Sequence, residues 1–172
     1  AEAERRGLLN LRTTPEALPY YLADKNVALF TKHRVYTRTE MEARYEIHLE
    51  NYSKVLNIEA LTMLEMARRD IMPAVSSYLR ELSETATAIH AVSVTDCSYE
   101  ESIIPEMSAL LGDAYRKVRS LDEALMGAKT VEGSQALANY YRDKVFSAMA
   151  ELRITIDQLE TMTPSDKWPV PS

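Results

Sequence analysis

Residues 38–94 read RTEMEARYEIHLENYSKVLNIEALTMLEMARRDIMPAVSSYLRELSETATAIHAVSV, and their reading decides the fold. At helical spacing Met41, Tyr45, Leu49, Tyr52, Leu56, Ala60, Met63, Ala67, Ile71, Ala74, Tyr78 and Leu82 fall on one line. The steps between them repeat as four, four and three, about 3.67 residues per turn, which keeps a stripe on one face of a nearly straight α-helix. Between Val55 and Val75 a second line joins it through Ile58, Leu61, Leu64, Met72 and Val75. A helix apolar on two sides must be covered from two sides. At about 1.5 Å per residue the stretch is roughly 85 Å long, more than one small globule wraps.

Local signals agree. Thr37-Arg38-Thr39-Glu40 is a capping box, with Tyr36 and Met41 placed as a hydrophobic staple across it. Glu40–Arg44, Glu50–Lys54 and Glu65–Arg69 are spaced as i,i+4 ion pairs on the exposed side. Pro73 lies inside the pattern, and an internal proline predicts a bend near Arg69 to Pro73 rather than an end.

Upstream, Thr14-Pro15-Glu16 starts a short helix, and Asp24 is placed to cap a second carrying Val27, Leu29 and Phe30. Downstream, Ser93 to Cys97 is the expected turn, and Ser98-Tyr99-Glu100-Glu101 offers another capping box. The next helix carries Ile103, Met107, Leu110, Ala114, Val118, Leu121, Leu125 and Ala128 and stops near Val131. Leu137, Tyr141, Val145, Ala148, Leu152, Ile156 and Leu159 repeat the first rhythm in a last helix ended by Thr163-Pro164-Ser165. Short turns make neighbouring helices antiparallel. The fold predicted is therefore all-α: an antiparallel three-helix bundle on one very long, Pro-kinked helix, preceded by two short helices. Its parts are short helices over 1–36, the bundle over 37–163 and an extended tail over 164–172. The two later helices are expected to cover Leu61 to Val94, leaving Arg38 to Leu56 overhanging. Tyr45, Leu49, Tyr52, Asn57 and Glu59 are the candidate contact residues of that arm. Trp168, a lone tryptophan in the tail, joins them because a chain seldom leaves one on a free end.

Composition excludes several classes. A net charge of −6 with no Lys/Arg cluster beyond Arg116, Lys117 and Arg119 argues against a nucleic-acid partner. No apolar run approaches a membrane span or a signal peptide. A single cysteine, Cys97, forms no internal disulfide, which makes the reducing cytoplasm the expected location. The chain lacks an initiating Met and opens on Ala1-Glu2-Ala3-Glu4, as a piece of something longer is expected to. Bundle metal sites use Glu-x-x-His, yet Phe30, Tyr45 and Thr87 stand three before His33, His48 and His90. Glu42, Glu46 and Glu50 read as a solvated stripe, and Cys97 with His90 as a weak nucleophile–base pair. No Gly-rich phosphate loop occurs. No catalytic, cofactor-binding or metal-ligating residue is therefore assigned, and no small-molecule ligand is expected.

A resemblance supplies what the residues alone do not. Thr13-Thr14-Pro15-Glu16-Ala17-Leu18-Pro19, Ala43-Arg44-Tyr45-Glu46-Ile47, Asn57-Ile58-Glu59-Ala60-Leu61-Thr62-Met63 and Ile71-Met72-Pro73-Ala74 resemble the C-terminal region of type III, long-chain glutamine synthetases. Tyr140-Tyr141-Arg142-Asp143-Lys144-Val145, Ala148-Met149-Ala150-Glu151-Leu152-Arg153 and Lys167-Trp168-Pro169 continue the match. Ser147 departs from it, standing where the family pattern has a proline, which implies a straighter last helix. The family also runs a few residues past Ser172. The resemblance implies a parent ligase that joins ammonia to glutamate with ATP and Mg, assembled as stacked hexameric rings. Its metal and nucleotide sites lie upstream. It implies for this chain a non-catalytic role against its own upstream catalytic domain and sister subunits. The rival reading is an independent helical adaptor that takes a partner helix in an open groove.

Overall fold

The computed structural model describes residues 2–92 and 96–170. Part of the expected Ser93–Cys97 turn and the end of the tail, Pro171 and Ser172, lie outside the described residues. Among the described residues there are five helices beyond a single turn at Glu2–Arg5, and no strand. They are α1 (Thr14–Tyr21), α2 (Asp24–Lys32), α3 (38–90), α4 (Ser98–Ala128) and α5 (134–162).

Helix α3 is the predicted rod, 53 residues long. Its capping box forms as the sequence dictates. The Glu40 carboxylate accepts the Thr37 N–H at 2.7 Å, and the Glu40 N–H donates to Thr37 Oγ1 at 3.2 Å. The charge of Arg44 bears on Glu40, and its guanidinium lies over the Tyr36 ring, 4.4 Å from the centroid. The Lys54–Glu50 and Arg69–Glu65 pairs form at 3.1 and 2.6 Å.

The bend signal resolves into a defined device. Ala67–Ile71 is a π-turn, and the Met72 N–H reaches back five residues to the Ala67 carbonyl. Pro73 follows immediately, so the ladder opens where the proline has no N–H to give. A second π-turn, Tyr141–Val145, lies in α5, with the Phe146 N–H on the Tyr141 carbonyl. Ser147 stands to it as Pro73 stands to the first. The last helix, expected to be straighter for the serine at 147, carries the π-turn without the proline.

The apolar line is also refined. Wherever the rhythm takes its short step, two adjacent residues straddle the stripe. The structure buries Ser53, Leu64 and Val75, and leaves their predecessors Tyr52, Met63 and Ala74 half-buried. Two other starts shift by a residue: Ala23 rather than Asp24 is the N-cap of α2, and the Asp96 carboxylate accepts the Ser98 N–H at 3.0 Å ahead of α4.

The chain forms two compact units: residues 1–58 with 127–146, and 59–126 with 147–172. This division crosses the boundaries read from sequence at 36 and 163. In the first unit, α1 and α2 and the start of α5 pack on the N-terminal arm of α3, burying Val27, Met41, Leu49, Leu56, Ala138, Tyr141 and Val145. The last helix therefore reaches the arm that was expected to overhang, because α5 begins beside Tyr45 and Glu46. In the second unit, α4 runs antiparallel to the later part of α3, with Arg68 paired to Asp122 at 2.7 Å and His90 to Glu101 at 3.2 Å. The later part of α5 runs antiparallel to α4, and Val75, Met107, Ala114, Val118, Leu121, Leu152, Ile156 and Leu159 fill the core. No helix among the described residues is long and apolar enough to cross a membrane.

Candidate functional site

In the first unit two of the predicted contact residues, Tyr45 and Asn57, are tied into a polar network between helices. Tyr45 Oη donates to Gln135 Oε1 at 2.6 Å, and Gln135 Nε2 donates onward to the Pro15 carbonyl at 2.9 Å. One glutamine thereby joins α1, α3 and α5. Ser134 Oγ donates to the Glu46 carboxylate. Twelve residues along α3, Asn57 Oδ1 accepts from Tyr141 Oη at 3.1 Å. Arg142 is held bidentate by Asp143 at 2.6 and 2.9 Å and reaches Glu16 on α1 at 3.3 Å. Burial pushes the Tyr45, Tyr52 and Tyr141 phenols above their ordinary value, which keeps them neutral donors. Buried polar groups that satisfy one another fix helix register.

The six candidates thus separate. Leu49 is fully buried inside the unit and offers nothing to a partner. Tyr45 and Asn57 are half-buried and bonded within the chain, and Tyr52 is half-buried. Glu59 is exposed. Trp168 is half-buried, its backbone N–H donating to the Pro164 carbonyl at 3.0 Å, with Lys167 beside it paired to Glu81 at 2.5 Å. The side chains that do stand out from the arm are Ile47, 62% exposed, and Val55, 43% exposed. Ile47 falls on neither apolar line, whereas Val55 opens the second one; Ile58 and Leu61 of that line are also exposed, at 63% and 51%, which corrects the expected cover on that side.

The second unit has its own network. Thr155, almost fully buried, donates to Asp113 Oδ2 at 2.9 Å and accepts from Lys117 Nζ at 2.7 Å, while Lys117 and Asp113 pair directly at 2.8 Å. The Lys117 ammonium, then the Thr155 hydroxyl, hold the Asp113 carboxyl below its ordinary value. An open cleft of about 430 Å³ in the first unit is lined by Tyr21, Tyr36, Arg44 and His48 among others. Among the described residues one group of three side chains able to hold a metal occurs, His90, Cys97 and Glu101.

These features define a class first: an all-α domain whose polar side chains join its own helices to one another. A family profile, Glutamine synthetase C-terminal domain, matches residues 1–90, and the chain belongs to that family. Glutamine synthetase of Butyrivibrio fibrisolvens is 34% identical over 164 residues, covering 95% of this chain and 23% of the relative. Type-3 glutamine synthetase of Dictyostelium discoideum is 29% identical over 177 residues, covering 98% of this chain and 24% of the relative. Glutamine synthetase of Bacteroides fragilis (strain YCH46) is 30% identical over 176 residues, covering 99% and 24%. The chain spans about a quarter of the length of these relatives. The triad above does not fit the Mg that the resemblance implies for the parent enzyme. Magnesium takes oxygen ligands in near-octahedral array, whereas the triad offers an imidazole, a thiol and a carboxylate.

Proposed function

We infer that this chain serves as the non-catalytic C-terminal helical part of a cytoplasmic glutamine synthetase, where it packs on the catalytic portion and contributes subunit contacts. The parent reaction, ATP-dependent ligation of ammonia to glutamate, is carried by residues outside it. One observation carries the reading: Tyr45 and Asn57 are engaged in holding the chain's own helices, while Ile47 and Val55 stand exposed on the arm of α3. Exposed apolar side chains on a rigid helix suit contact with a neighbouring protein surface. The test is the double variant Ile47→Asp, Val55→Asp in the full-length enzyme. Loss of the native assembly in light scattering, with helicity unchanged, is expected. An enzyme that assembles and turns over as the parent does would overturn the subunit-contact role.

A further inference from the structure

The helix-to-helix corner of the second unit brings together three side chains that no part of the foregoing role uses. His90 closes α3, Cys97 immediately precedes α4, and Glu101 lies in its first turn. His90 Nε2 lies 3.2 Å from Glu101 Oε1, and the three donor atoms lie within 4.8 Å of one another. Around a tetrahedral zinc ion, with bonds of about 2.0 Å to nitrogen or oxygen and 2.3 Å to sulfur, neighbouring donors sit roughly 3.3–3.5 Å apart. The imidazole–carboxylate pair is already at that spacing. The sulfur needs only a side-chain adjustment, and His90 and Glu101 are both exposed and free of the core. We propose that His90, Cys97 and Glu101 form a binding site for a borderline-soft divalent cation, zinc in type, that clamps the α3–α4 corner.

The donor chemistry selects the ion. A thiol and an imidazole with one carboxylate suit zinc over magnesium or calcium, which require oxygen donors. The surroundings favour a cation as well: Asp96, Glu100 and Glu101 all bear on the thiol, and Cys97 hydrogen-bonds to the Glu100 carboxylate. In that hydrogen bond the Cys97 S–H is the donor and the carboxylate the acceptor, so the thiol carries a proton in the metal-free chain. Binding exchanges that proton for the ion: the S–H bond is lost, a sulfur–zinc bond forms, and one proton leaves to solvent. The surrounding carboxylates attract the dication itself, which is the largest charge in such a site. Glu100 or water completes the fourth position. This inference is independent of the chain's place in a larger enzyme.

The experiment titrates the 172-residue chain with Zn(II) against a chromophoric chelator and with Co(II) read by absorption. One equivalent bound, a thiolate-to-cobalt charge-transfer band, and no displacement by excess Mg(II) are expected. Removing only a supporting partner of a metal ligand costs roughly 10–100-fold in affinity. Cys97→Ser and His90→Gln should each lose at least that much, with Cys97→Ser also abolishing the band while helicity stays unchanged. Absence of Zn(II) binding, equal binding by both variants, or displacement by Mg(II) without a sulfur band would each overturn the site.

Discussion

Replacing Ser147 by proline should be close to harmless, although the residue lies within a helix. In a regular helix interior proline costs about 3 kcal/mol, because it removes an N–H and its ring strikes the carbonyl four residues back. Ser120, exposed in the regular run of α4, provides that reference. Ser147 differs. It directly follows a π-turn in which the Phe146 N–H already reaches five residues back, the arrangement in which Pro73 is accommodated after Met72. The ring clash is relieved there, leaving roughly one hydrogen bond, about 1 kcal/mol, as the cost. With about 2–4 °C of melting temperature per kcal/mol for a chain of this size, Ser120→Pro should lower Tm by about 6–12 °C and Ser147→Pro by no more than about 4 °C. Thermal and urea unfolding of the two variants side by side measure this. Equal losses would refute the claim that the π-turn prepares the backbone for proline.

Three further outcomes follow from the packing. Leu49→Ala in the isolated chain should cost about 2–5 kcal/mol in urea unfolding, as a core leucine does; a loss under about 1 kcal/mol would mean that Leu49 is a surface residue after all. Tyr45→Phe removes the Gln135 bond and should cost about 0.5–1.5 kcal/mol, with the Tyr45→Phe, Gln135→Ala cycle showing the two effects to be non-additive. Asp113 titrates below its ordinary value in the folded chain, so its contribution is present above the unfolded carboxylate pKa of about 3.9 and is lost as pH falls through the lower folded value. Acid unfolding of Asp113→Asn should accordingly show a shallower loss of stability in that window than the parent chain; identical slopes would remove Asp113 from the account.

The helices were legible because their signals are local. The capping box at Thr37 and Glu40, the proline at 73 and the four-four-three rhythm each act within a few turns; the box forms as read, and the rhythm holds except at its short steps, where Ser53, Leu64 and Val75 take the buried place. The second π-turn was not legible, since Tyr141–Val145 carries no proline; its trace is the same offset to Ser147 that the first has to Pro73. The surroundings of the contact residues depend on something more distant. Whether Tyr45 and Asn57 face a partner or their own chain depends on where α5 begins. That start is set by the loop after Ala128 and by Gly133, whose φ of 87° favours glycine. Nothing in the spacing of α3 reports it. The His90, Cys97 and Glu101 group escaped a search for Glu-x-x-His because its members come from two helices joined at a corner.

The central claim is that this chain contributes architecture while the ligation chemistry resides elsewhere in the enzyme. Its most direct test is glutamine formation from glutamate, ammonia and Mg-ATP by the purified 172-residue chain, run beside a full-length glutamine synthetase. No product above the protein-free blank is predicted. Steady turnover by the chain alone would contradict it.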